Sequence, residues 1–250
     1  MKNDFLLHAI GQTKEDYIME AQQLRDGVKT PRQTRRKPAL WKGILIAAMI
    51  SLMTVTAYAA DFLNIQSLTS GTLHFSSSSY KKVDNAMKIA GFQMDLKEQF
   101  GNGYTFDNIR VEDVDGRDEQ DQKVLTYKET SVTYRNQSGY RLYLHAYQKL
   151  EEIPQSDHAA AQSRVIGDVT ANYYLDHYKI VPADYQLTEA DKLWEQQPGN
   201  FISYGSDQVE KTDVSFVCWE KEGICYSIMD MTAKETPDTL FSMAAELMGN

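Results

Sequence analysis

The sequence predicts an α+β protein: short cytoplasmic helices, one transmembrane helix, then an extracellular antiparallel sheet with helices on one side. Three observations predict it. An 18-residue uncharged run from Gly43 to Ala60 follows a stretch with six basic and no acidic residues. Apolar and polar residues alternate over much of 104–178 and again over 214–228, the period of a half-buried strand. Three segments beyond residue 79 combine helical apolar spacing with helix-capping residues.

At the N-terminus, Phe5, Leu6, Ala9 and Ile10 recur at helical spacing and stop at Gly11, a residue type that favours helix ends. Thr13 and Asp16 then form a T-x-x-D capping box ahead of Tyr17, Ile18, Ala21 and Leu24. Residues 1–26 thus read as two short amphipathic helices, a cytoplasmic helical segment far too small to bury a core of its own. Their apolar faces need cover. A protein partner held by Phe5, Leu6, Ile10, Tyr17, Ile18 and Leu24 would supply it. So would packing on each other or lying on the inner leaflet.

Residues 27–42, with Pro31, Pro38, Thr30 and Thr34, read as a basic tether. The run 43–60 is about 27 Å long as a helix, close to the roughly 30 Å hydrocarbon core of a bilayer. Lys29, Arg32, Arg35, Arg36, Lys37 and Lys42 favour the cytoplasmic side, and Trp41 and Tyr58 suit the two headgroup levels. The expectation is a single-pass protein of the cell membrane, N-terminus cytoplasmic and residues 61–250 outside. Two other readings stay open: a buried core helix, and a signal peptide cleaved after Ala57-Tyr58-Ala59, which has the small-x-small form of such a site.

Dividing the charge at this run is informative. Residues 1–42 hold nine Lys and Arg against five Asp and Glu; residues 61–250 hold seventeen against thirty, a net −13. An acidic outer domain repels nucleic acid and anionic lipid, so neither is its expected ligand.

Beyond the run, residues 61–79 are rich in Ser and Thr and read as a linker, leaving 80–250 as the α+β domain. Val83, Ala86, Met87 and Ala90, ending at Gly91, predict a helix over 80–90. Tyr104 with Phe106, Ile109 with Val111, and Val132 with Tyr134 step by two. Asn136 to Gly139 is a turn cluster leading into Tyr140, Leu142, Leu144 and Ala146, and a Tyr-rich strand follows near Val169 to Tyr178. Thr188 and Asp191 form a capping box before Leu193 and Trp194, and Gln197-Pro198-Gly199-Asn200 ends that helix. Val214, Phe216 and Cys218, then Ile224, Tyr226 and Ile228, alternate on either side of Lys221-Glu222-Gly223 as a hairpin. Thr236 caps a last helix with Pro237 at its first position and Leu240, Phe241, Ala244, Leu247 and Met248 on its buried face. An antiparallel sheet flanked by three helices is the architecture that follows.

Phe5-Leu6-Leu7-His8-Ala9-Ile10-Gly11, Tyr17-Ile18-Met19-Glu20-Ala21, a basic stretch, a Trp and one apolar run resemble the N-terminal regions of anti-sigma, or sigma-regulating, membrane proteins of Gram-positive bacteria. Val217-Cys218-Trp219, Gly223-Ile224-Cys225-Tyr226 and the final helix are similar to the extracellular domains of unknown function those proteins carry. The resemblance covers about a third of the chain and implies a sigma factor as the cytoplasmic partner. Zinc-binding anti-sigma domains use a His-x-x-x-Cys-x-x-Cys cluster; here residues 1–42 have His8 alone and no cysteine, which excludes that zinc mechanism.

No enzyme activity and no cofactor are expected. His8, His74, His145, His158 and His177 are scattered, with no His-Glu-x-x-His or Cys-x-x-Cys, and neither Gly-x-Ser-x-Gly nor a phosphate-binding Gly-x-x-x-x-Gly-Lys occurs. His145 and His177 fall in Tyr-rich strands, where packing or surface roles are the ordinary ones. Asp113-Val114-Asp115-Gly116-Arg117-Asp118 resembles an EF-hand loop in part, but Val111 and Gln122 occupy its first and twelfth positions, so a solvated acidic turn is the simpler reading. Cys218 and Cys225 face each other if the hairpin turn is centred on Lys221-Glu222; a three-residue loop breaks that alignment, and buried free thiols are the alternative to a disulfide. The chain reads as a membrane regulator whose outer domain senses an envelope ligand, with a secreted or anchored binding module as the alternative.

Overall fold

Thirteen-residue strands at the centre of the chain, joined by tight turns, set up one large sheet. The computed structural model describes residues 67–118, 120, 122–150 and 158–249. In chain order the elements are β1 (Ser67–Ser77), α1 (Val83–Ala90), β2 (Thr105–Arg117), β3 (Lys123–Arg135), β4 (Arg141–Gln148), β5 (Gln162–Ile166), β6 (Val169–Val181), α2 (Glu189–Glu195), β7 (Asn200–Tyr204), β8 (Glu210–Lys221), β9 (Ile224–Asp230) and α3 (Pro237–Met248). The sheet runs β1-β2-β3-β4-β9-β8-β6-β5 with antiparallel neighbours throughout. β7 pairs in parallel with the later half of β6, beyond the stretch that β5 occupies.

Turn chemistry fixes the registers. Asn136 Oδ1 accepts from the Ser138 and Tyr140 amides, each at 3.0 Å, and Gly139 has φ +83°, so Arg135 pairs with Arg141 and every later β3–β4 pair follows. Glu222 and Gly223 both have positive φ, 54° and 75°, as a two-residue type I′ hairpin turn requires, and Lys221 pairs with Ile224.

One face of the sheet is closed by helices. Ala86, Met87 and Ala90 of α1 pack over Ile109, Val111 and Val132, and Leu240, Phe241, Ala244 and Leu247 of α3 belong to the same core as Tyr173, Val217 and Trp219. The capping patterns explain where the helices begin and end. Thr188 Oγ1 accepts from the Asp191 amide while Asp191 Oδ2 accepts from the Thr188 amide; Thr236 Oγ1 accepts from Thr239; and Gly91 and Gly249 close α1 and α3 in the left-handed conformation. Asp191 also takes Lys179 and the Tyr185 hydroxyl, which ties α2 to β6 and holds its carboxyl well below the usual carboxylate range, chiefly through Lys179.

The fold corrects the expected class. Among the described residues it is mostly β, a nine-stranded mixed sheet with three short α-helices, and not an α+β arrangement. Three local readings account for the difference. The Ser/Thr-rich stretch, whose composition predicts a linker, holds the edge strand β1, stabilised by pairing with β2 rather than by burial of its own. The acidic stretch to Arg117 continues β2 because its carboxylates find partners across the sheet. β5 and β7 are five-residue strands with little apolar alternation.

The expected transmembrane, single-pass and extracellular assignment is corrected as well. Among the described residues no helix is long and apolar enough to cross a membrane. The longest, α3, has 12 residues and is about 18 Å long, against a hydrocarbon core of roughly 30 Å. The run Gly43 to Ala60 on which the assignment rested lies outside the described residues, as do the tether and Phe5, Leu6, Ile10, Tyr17, Ile18 and Leu24.

Candidate functional site

The second face of the sheet, opposite α1 and α3, is polar where β2, β3, β4 and β9 meet. Strand registers arrange its side chains in rows. Arg110, Ser131, His145, Ser227 and Cys218 occupy one row across five strands, and Glu112, Glu129, Tyr147 and Cys225 occupy the next. Tyr127, Tyr143, Tyr147, Ser131, His145 and Ser227 are half-buried, whereas Glu112 and Glu129 are buried at 8% and 5% exposure. At the far end of the same face, Ala160, Phe201 and Met231 pack on Tyr174, Tyr178 and Phe216 and close it.

Each acid of the polar part has a cationic neighbour. Arg110 Nη2 donates to Glu112 Oε2 at 3.0 Å, and His145 Nδ1 lies 2.8 Å from Glu129 Oε1, with Ser131 Oγ 3.3 Å from the same nitrogen. Burial raises the Glu112 carboxyl above its ordinary range; Arg110 opposes this and Glu129 adds to it. For His145, burial works against the charged ring, yet the Glu129 charge, its hydrogen bond and the Glu112 charge prevail and leave the imidazole raised above 6.5. Burial also pushes the Tyr127 and Tyr147 phenols well above their ordinary range, although each residue as a whole is only half-buried. The two rings sit 5.2 Å apart and tilted. All these phenols are therefore neutral hydrogen-bonding groups near pH 7.

The cysteines lie on this face too. Neither is bridged in a disulfide and both are buried, and burial pushes the Cys218 thiol up to about 12. The hairpin turn is centred on Glu222-Gly223, one residue later than the alignment that would bring the cysteines face to face, so Cys218 pairs with Ser227 and Cys225 with Glu220. The buried Ser227 hydroxyl makes no well-directed hydrogen bond, although the Cys218 thiol lies beside it.

The acidic stretch of β2 has partners of its own. Asp113 pairs with His74 at 2.8 Å, Asp115 with Lys123 at 2.7 Å and the Thr126 hydroxyl at 2.8 Å, and Asp118 accepts from the Gln120 and Gln122 amides as a turn former. Among the described residues no group of three or more His, Cys, Asp or Glu side chains is placed to hold a metal ion.

The half-buried rows were not singled out from the sequence. By sequence spacing His145 is an ordinary strand residue, and no motif marks Glu112 or Glu129. One signal could have found them: once the Asn136–Gly139 turn pairs Arg135 with Arg141, counting outwards puts Ser131 opposite His145 and Glu129 one step away. Compared with protein families, with curated proteins and with solved structures, the chain matches none.

Proposed function

We propose that this chain is a regulatory binding protein: the sheet domain recognises a ligand on its polar, tyrosine-bearing face, and the N-terminal segment holds a protein partner. The observation that carries the reading is the contrast between the two faces. Two helices close one; on the other, the half-buried Tyr127, Tyr143, Tyr147 and His145 of β3 and β4 remain partly accessible beside the buried, paired Glu112 and Glu129. Tyrosines with neutral hydroxyls supply rigid contact area and hydrogen bonds at small entropic cost, which suits recognition. The net −13 of residues 61–250 favours a neutral or cationic ligand.

The partner half of the proposal rests on Phe5, Leu6, Ile10, Tyr17, Ile18 and Leu24, and a sigma factor is the partner class that the family resemblance implies. The alternative is a binding module in which the N-terminal residues hold no partner. Co-purification separates the two. Phe5→Asp with Ile18→Asp in the full chain should lose a partner that the wild type retains; if the wild type retains none, or the double variant retains the same ones, the binding-module reading stands.

A further inference from the structure

We infer that the polar face carries a one-proton switch at His145, which sets whether the opposed acids Glu112 and Glu129 are jointly neutralised. The two glutamates are direct cross-strand partners on β2 and β3. Side chains so placed have Cβ atoms about 4.5–5.5 Å apart, and like charges there destabilise a sheet. Both are buried, so water screens them poorly. Their neutralisation is unequal in kind. Arg110, on Glu112, is charged at every accessible pH; His145, on Glu129, is charged only when protonated.

With the proton present, two cations face two anions. When it leaves, Nδ1–H of the neutral ring can still donate to Glu129, but the group passes from neutral to one net negative charge in a site that disfavours it. The other groups facing His145 cannot compensate: Ser131 and Tyr127 from β3, Tyr143 and Tyr147 from β4, Ser227 from β9 and Cys218 from β8 are neutral near pH 7, and the Cys225 thiol of β9 has no positive charge to offer. At the rim, Lys149 is paired with Glu220 at 2.8 Å. The raised imidazole of His145 agrees with this geometry.

The sign follows from linkage. A histidine raised in the folded state contributes stability that is full below its unfolded value of about 6.5 and is lost as pH rises through the folded value. Within that window the unfolding constant should rise by up to about tenfold per pH unit from this one proton. His74, His158 and His177 also face carboxylates, so the informative quantity is the difference between wild type and variant.

The experiment uses the full chain. Ring nitrogen and carbon shifts of His145 are followed by NMR from pH 5 to 9, and denaturant unfolding is measured over the same range for wild type, His145→Gln and Glu112→Gln. The switch predicts a His145 midpoint above that of an unfolded histidine, a downward shift of that midpoint in Glu112→Gln, and a pH slope in the wild type that His145→Gln loses. A midpoint at or below the unfolded value, or one that Glu112→Gln leaves unmoved, overturns it. The Glu112→Gln midpoint decides the matter even if His145→Gln does not fold.

Discussion

Trp219 lies flat on Tyr226, with ring centroids 5.0 Å apart and planes 2° apart, and so locks β8 to β9 on the side that α3 covers. Trp219 is 1% exposed. Replacing it with Ala removes the largest fully buried side chain and should cost about 3–5 kcal/mol in a denaturant titration. Leu193→Ala, at a side chain 64% exposed, should change stability by less than about 0.5 kcal/mol.

Asp230 ends β9 wholly buried, and its carboxylate accepts from the Tyr140 hydroxyl, the Thr232 amide at 3.0 Å and the Glu235 amide at 2.7 Å. Those bonds shape the turn into α3. Asp230→Ala would orphan three donors and should destabilise by about 3 kcal/mol or more, with Tyr140→Phe losing only about 1–2 kcal/mol. Comparable losses from the two variants in equilibrium unfolding would show that the amides contribute nothing.

The β8–β9 turn holds a non-glycine residue, Glu222, at φ 54°. Glu222→Asn should stabilise the hairpin by about 0.5–1 kcal/mol, because Asn-Gly suits a type I′ turn. Gly223→Ala should destabilise by about 1–2 kcal/mol; a Cβ there meets nothing within 4 Å, so the cost is that of the left-handed backbone alone. Thermal melts of the two variants should move in opposite directions.

Cys218 and Cys225 are offset diagonally across their strands, where separations of about 7–8 Å exceed the roughly 3.5–4.5 Å that a disulfide's Cβ atoms need. The folded chain should carry both thiols under non-reducing conditions, as intact mass after alkylation in denaturant would reveal. With its thiol pushed up to about 12, Cys218 should resist a thiol reagent at pH 8 until the chain unfolds. Rapid labelling of both cysteines in the folded protein would contradict the packing described.

The sequence was most informative where a local rule has a single outcome. Thr188 with Asp191 and Thr236 with Pro237 mark helix starts, Gly91 a helix end, and the Asn136–Gly139 cluster a hairpin. It was least informative where structure depends on distant partners. Nothing local distinguishes Ser67–Ser77 from a linker until β2 lies beside it, and the parallel pairing of β7 with β6 has no periodic signature. The polar rows belong to this second kind. Glu112, Glu129 and His145 come together only through the β2–β3 and β3–β4 registers, and a one-residue error at the β8–β9 turn misplaces Cys218 and Cys225.

The claim that the polar face is the recognition surface is tested most directly by site-specific photocrosslinking in the cell of origin. A photoreactive phenylalanine analogue is placed in turn at Tyr127, Tyr143 and Tyr147, and at Leu193 as an exposed position away from that face. Stability of each variant is checked by its thermal melt. The account predicts a discrete adduct from the three tyrosine positions and none from Leu193. No adduct from any of the three, or the same adduct from Leu193, would contradict it.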